Sequence, residues 1–162
     1  MIDGNEAAND ALLAAWDLPM AISVPVFHLH ESLERLERLV GTYPRVALGS
    51  SGRYGNPGTP EWWQRIADVM RVACDAEGMP RCKLHGLRML NPTLFSRLPL
   101  SSADSTNVAR NIGVDQAWTG PYAPASKSVR AIILMDRIES HASAYRWSAR
   151  GAGVQQNLDF FG

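Results

Sequence analysis

Four short apolar runs, each closing on a polar tip and each separated from the next by a helical segment, constrain this chain more than any other feature. Ile22-Ser-Val-Pro-Val-Phe27 ends on His28-Leu29-His30, and Arg45-Val-Ala-Leu48 ends on Gly49-Ser-Ser-Gly52. Arg81-Cys-Lys-Leu84 ends on His85-Gly86, and Leu98-Pro-Leu-Ser-Ser102 ends on Asp104. Runs of this length and β-rich content read as strands, and Pro25 inside the first predicts an edge position or an irregularity, because proline has no N–H for a ladder.

The intervening segments have helical spacing. Glu31 to Val40 places Leu33, Leu36, Leu39 and Val40 on one face and Glu34, Arg35, Glu37 and Arg38 on a solvated opposite face, with Glu31 as a first-turn acid and Gly41 as the stop. Pro60 opens a long helix carrying Trp62, Trp63, Ile66, Val69, Met70 and Ala73, and Asn91 to Phe95 reads as a capped short helix. Glu6 to Trp16 forms a leading helix. Ser126 to Trp147 forms a closing one, with Val129, Ile132, Ile133, Met135 and Ile138 turned to the core.

Strands alternating with helices predict an α/β fold of parallel βαβ units with right-handed crossovers. Four such units amount to about half of a (β/α)8 barrel, whose full length is roughly 250 residues. Met1-Ile-Asp-Gly4 reads like the tail of a strand whose beginning is absent, so the expected fold is a partial (β/α)8 barrel, its C-terminal half. An open parallel sheet of flavodoxin-like order is the rival. The 162 residues suffice for one sizeable core, taken as residues 1–150, followed by a flexible tail over 151–162.

Lysines plus arginines equal aspartates plus glutamates at 16 each, so the overall charge gives no sign of a strongly basic nucleic-acid surface or of an anionic membrane partner, and any nucleic-acid contact is expected to be local. No apolar run reaches the roughly 18 residues that span a bilayer, and no leader pattern opens the chain, so a cytoplasmic protein without a membrane partner is expected. Cys74 and Cys82 lack ligand spacing and read as thiols rather than a metal or disulfide pair. No metal and no cofactor are expected.

Several polar tips bear chemistry. Asp104, flanked by hydroxyls in Ser-Ala-Asp-Ser-Thr106, is a strand-end carboxylate suited to nucleophile or base, or alternatively to capping a helix from Thr106. Alternation puts His28 and His30 on one side of a strand, which fits base recognition, metal binding or a structural hydrogen bond. Gly49 and Ser50 would let backbone N–H groups approach a phosphate or planar base. His85 with Gly86 faces substrate or braces its loop. Tyr54, Trp62 and Trp63 stack on a base or fill the core. The four tips are expected to share one rim.

Val46-Ala-Leu-Gly49-Ser-Ser-Gly52, Leu84-His85-Gly86-Leu87 and Ser102-Ala-Asp104-Ser-Thr106, in that order and with a helix between each, resemble the C-terminal half of tRNA-guanine transglycosylase-like barrels. The likeness is to the phage and mobile-element branch related to enzymes that insert 7-deazaguanine into DNA, and it covers about residues 2 to 147. It implies that Asp104 attacks C1′ of a nucleoside, displaces guanine and holds a covalent sugar intermediate until a new base enters. It places Gly49 and Ser50 at the guanine edge and His28 beside them, with DNA or tRNA and a purine or deazapurine base as partners. The second acid of that mechanism belongs to an early strand that precedes this chain's beginning, and the family's three-cysteine, one-histidine zinc set is missing; a second chain completing the barrel would be a further partner.

The tail Gln155-Gln-Asn-Leu158-Asp-Phe160-Phe161 follows a Gly-Ala-Gly linker and resembles the peptide by which bacterial and phage proteins dock on the replication sliding clamp. Gln155, Leu158, Phe160 and Phe161 would carry that contact. The alternative function is therefore a non-catalytic phage or mobile-element module of DNA metabolism tethered to the clamp.

Overall fold

The computed structural model describes residues 5–105, 124 and 126–149. Its centre is a four-stranded sheet of β1 (Val26–His28), β2 (Arg45–Gly49), β3 (Lys83–Leu87) and β4 (Ser102–Ala103), all parallel and in the sequential order β1-β2-β3-β4. The order has no reversal of the kind a doubly wound sheet shows. β1 and β4 are the edges, so Pro25 precedes an edge strand; the ladder starts after it, Ala47 N–H bonding to the Pro25 carbonyl at 2.9 Å.

The register aligns Val26, Ala47, His85 and Ser102 in one row, and Phe27, Leu48, Gly86 and Ala103 in the next. Because successive strand residues face opposite ways, these rows lie on opposite faces of the sheet. Phe27, Val46, Leu48 and Leu84 are fully buried against α2 (Leu33–Thr42) and α3 (Pro60–Ala73). Each such side chain contributes about 1.5–3 kcal/mol by leaving water.

Thr59 caps α3, its Oγ1 accepting from Trp62 N–H at 3.3 Å, and Pro60 takes the first turn, where its missing donor costs nothing. Trp62, Trp63 and Tyr54 belong to the core, edge-to-face for the two indoles, which takes them out of reach of a base. The short α4 (Pro92–Phe95) sets Leu94 and Phe95 in the same core, capped by Asn91.

The structure corrects several boundaries and faces. α1 spans Glu6–Ala14, not to Trp16, and buries no residue; Trp16 lies outside it and donates its indole N–H to Ser23 Oγ at 2.8 Å. The run from Ile22 does not begin a strand, since Met20–Ile22 forms a 3₁₀ turn. α2 runs through Gly41 to Thr42 rather than stopping at the glycine, and Ser32 caps it, leaving Glu31 ahead of the helix instead of in its first turn. Arg35 is not on a solvated face: it is buried, because Asp10 and Glu31 meet its guanidinium.

β3 lies further along the chain than Arg81–Leu84, placing His85 and Gly86 inside the strand rather than at its tip. β4 is likewise only Ser102–Ala103, and Leu98 to Leu100 are buried loop. The closing helix α5 (Lys127–Glu139) ends at Glu139 rather than Trp147. Only its Leu134 is buried, while Val129, Ile132, Ile133 and Met135 face outward, contrary to their expected place in the core. Beyond α5 the chain still packs back: Ala144 N–H bonds the Leu98 carbonyl at 3.1 Å and Trp147 N–H the Gly78 carbonyl at 2.8 Å.

Among the described residues, helices cover one face of the sheet. The other is concave, with a volume of about 520 Å³ bordered by Val24, Val26, Ala47, His85, Leu87 and Ser102. No helix among the described residues is long and apolar enough to cross a membrane.

Candidate functional site

Parallel pairing brings the C-terminal ends of all four strands to one edge of the sheet, so His28, Gly49 and Leu87, which share a row, lie beside the chain leaving β4 at Asp104. Two clusters stand on this edge, separated by the strands between them. Three strand spacings put β1 and β4 about 14 Å apart.

The first cluster is built on Asp104. Its backbone is held from both sides, its N–H donating to the Gly86 carbonyl at 3.1 Å and its carbonyl accepting from Leu90 N–H at 3.0 Å. The carboxylate is 54% exposed; Oδ1 accepts the Arg88 backbone N–H at 2.6 Å, and Oδ2 lies 3.4 Å from His85 Nε2. His85 Nδ1 shares a 2.8 Å hydrogen bond with Ser102 Oγ, its register partner on β4. Arg88 has φ of +62°, a left-handed conformation that costs a side-chain-bearing residue about 1–2 kcal/mol. That turn aims the Arg88 N–H at the carboxylate.

Asp104 thus has a backbone donor from the turn after β3; the segment from Thr106, whose helix the sequence offered Asp104 to cap, lies outside the described residues. Gly86 faces the other way from His85. A Cβ there would stand 2.7 Å from Leu100 Cδ1 and 2.9 Å from Met89 Cβ, so the glycine serves close packing beneath the site.

The second cluster joins His28 and His30, whose rings stack with centroids 5.8 Å apart, to the glycine loop after β2. Gly49 lies under the His28 ring, where a Cβ would come 3.2 Å from Nδ1, and Gly52, at φ +57°, lies beside His30. His30 Nδ1 shares a 2.7 Å bond with Ser51 Oγ. Ser50 Oγ accepts the Trp62 indole N–H at 2.9 Å, which ties the glycine loop to the helical core. Burial pushes the His28 imidazole below its ordinary value, the nearby Glu31 working the other way, so the ring is neutral near pH 7.

A buried network fixes this cluster. The Glu31 carboxylate accepts from His28 N–H, Asn9 Nδ2 and Arg35 Nη1, each at 2.7 Å, while Arg35 Nη1 also reaches the Val26 carbonyl at 3.0 Å. Arg65 donates to the carbonyls of Leu29 and Glu31 from α3. Three elements, α1, α2 and α3, therefore clamp one four-residue loop.

Both cysteines are free, and burial pushes the Cys74 thiol up to about 11 and that of Cys82 upward, which keeps them protonated and unreactive. Among the described residues no group of three or more histidines, cysteines or acids could hold a metal ion.

The sequence singled out Asp104, His85, His28, His30, Gly49, Ser50 and Gly86; the structure joins Asp104 to His85 and, separately, His28 and His30 to the glycine loop. Ser102 and Arg88 were missed. Ser102 sits two residues before Asp104, and strand alternation alone would have put it on the face of Asp104, while its pairing with His85 depends on register; nothing local announces the positive φ of Arg88. Gln155, Leu158, Phe160 and Phe161 lie outside the described residues.

Fold and site together define a parallel α/β protein with an exposed carboxylate–imidazole pair at the C-terminal edge of its sheet. Comparison with protein-family models, with curated proteins and with solved structures found no match for the chain.

Proposed function

We propose that this chain is part of a transglycosylase-like α/β barrel that exchanges guanine or a 7-deazaguanine in DNA or tRNA, with Asp104 as the nucleophile. The observation that carries the reading is the Asp104 carboxylate itself: exposed, aimed by a backbone N–H, and set where parallel α/β proteins keep their chemistry. A carboxylate in that state can attack C1′ and be expelled again, which a reversible exchange requires. The sequential strand order supports a barrel segment over a doubly wound sheet.

In this reading the concave face receives the nucleoside. Its apolar floor of Val26, Ala47 and Leu87 suits a planar base, and the neutral His28, in the row of Gly49 and Leu87 at the strand ends, offers a donor and an acceptor beyond it. Net neutrality leaves the nucleic-acid backbone to be met locally or through a partner. Cover for the concave face would come from a second chain that completes the barrel.

The test is a covalent adduct between the protein and a guanosine-containing oligonucleotide, read by denaturing electrophoresis and intact mass. The adduct should form with the unsubstituted chain and vanish in Asp104→Asn. No adduct with the unsubstituted chain would leave the tethered, non-catalytic module as the reading. That module predicts capture of a sliding clamp by residues 151–162, lost in Leu158→Ala.

A further inference from the structure

The base-exchange reading leaves one role empty. A purine departing from C1′ takes the bonding electron pair on its nitrogen and needs a proton, which Asp104, acting as the ionised nucleophile, does not supply. We infer that His85 fills this role as the proton-transfer residue of the Asp104 site; the inference rests on the base-exchange reading.

The geometry is specific. His85 projects from the middle of β3 onto the concave face, in the row of Val26, Ala47 and Ser102, with its Nε2 3.4 Å from the nucleophile's Oδ2 and its Nδ1 2.8 Å from Ser102 Oγ. A reactant bonded to Oδ2 therefore has Nε2 for a neighbour. At 27% exposure the ring is open to that reactant yet held by Ser102. Among the described residues, His28 ends β1 and His30 lies in the turn after it, both at the other side of the sheet, and Glu31 is buried against Arg35.

The steps balance. In the imidazolium form His85 donates Nδ1–H to Ser102 Oγ and Nε2–H toward the Asp104 carboxylate. As the carboxylate oxygen bonds to C1′ and the C1′–N9 bond breaks, the electron pair goes to the purine and the Nε2 proton neutralises it. His85 is then a neutral imidazole whose Nδ1–H stays on Ser102. When the incoming base attacks C1′, its N–H proton passes to Nε2, and the C1′–O bond breaks with its electron pair returning to Asp104.

Leaving-group chemistry tests this. A 7-methylguanine already carries positive charge in the nucleoside and departs neutral without a proton, whereas guanine does not. Adduct formation is followed with two otherwise identical DNA oligonucleotides, one carrying dG and one carrying its 7-methyl derivative. His85→Gln should slow the reaction of the dG oligonucleotide by roughly 10²–10⁴-fold, the usual worth of a positioned acid, and leave that of the 7-methyl oligonucleotide near the unsubstituted rate. Ser102→Ala should slow the dG reaction by less and spare the other, and thermal melting of each variant reports its fold. Equal slowing of both substrates in His85→Gln overturns the role of His85 while Asp104 stands. Adduct persisting in Asp104→Asn, or absent from the unsubstituted protein with both oligonucleotides, overturns the base-exchange reading itself.

Discussion

His85 Nε2 stands 3.4 Å from Asp104 Oδ2 across two neighbouring parallel strands, 19 residues apart in the chain. The contact exists because β3 and β4 pair in a register that sets His85 opposite Ser102, so the residue two beyond Ser102 arrives on the same face one step nearer the strand ends. Around this pair the protein has spent rigidity: the Asp104 backbone is bonded on both sides, Arg88 N–H holds Oδ1, and Oδ2 faces the imidazole.

The strained Arg88 turn is the first consequence to measure. Arg88→Gly keeps the N–H that holds Oδ1 and removes the Cβ that opposes φ +62°. Relief of about 1–2 kcal/mol is offset by glycine's greater freedom when unfolded, about 0.5–1 kcal/mol, so stability in urea should be unchanged or slightly raised. Arg88→Pro, which removes the donor and cannot take that φ, should be clearly destabilised. A loss in the glycine variant as large as in the proline variant would refute the backbone role.

The Glu31–Arg35 pair should behave as a buried unit. Arg35→Met leaves the Glu31 carboxylate, whose side chain has no exposure, without its cation, and should cost about 3–5 kcal/mol in chemical denaturation. Combining it with Glu31→Gln should cost less than the two single losses added together. Strict additivity would mean that the two groups do not depend on one another.

Gly86→Ala should be destabilising by about 1–3 kcal/mol, since the new methyl would meet Leu100 and Met89 under the sheet. Gly41→Ala, on exposed helix surface with only the end of Arg81 nearby, should be neutral or stabilising. Thermal melting of the two variants, side by side, checks the contrast.

Acidification should weaken the fold in two stages. His28 has a lowered value in the folded state, chiefly from burial, so the unfolded chain takes up its proton first; stability declines as pH falls through the ordinary value of 6.5 and levels off below the folded one. Glu6, lowered mainly by the Ser32 backbone N–H, contributes stability above its ordinary 4.5 that is lost as pH falls through its folded value. Asp10 follows below 3.8: burial, its largest influence, opposes the charge, but Arg35 and Arg38 together outweigh it. His28→Asn should remove the first stage from a melting-temperature profile and leave the second.

Local chemistry was enough for much of this architecture. Period-two and helical spacing, proline positions and capping residues act within a few residues, and they identified alternating strands and helices, the Pro60 start of α3, and polar ends of which parallel pairing set His28, Gly49 and Asp104 at one edge and left His85 and Gly86 inside β3. The burial of Arg35 was illegible because it depends on Asp10, 25 residues earlier, and on Glu31 being taken out of water. The outward-facing apolar side of α5 was equally illegible: a helical stripe records which residues prefer burial, not whether a partner surface stands there.

What the sequence by itself determined is the order of elements and the residue types at their ends, since these follow from backbone propensity and side-chain polarity. The tertiary structure alone decided that β3 lies further along the chain than its apolar run suggested, that His85 meets Asp104 and Ser102 rather than a loop, and that Arg88 turns its N–H inward. Those outcomes arise from hydrogen-bond register and packing between segments far apart in the chain, where the pairing of whole strands outweighs the preference of any single residue.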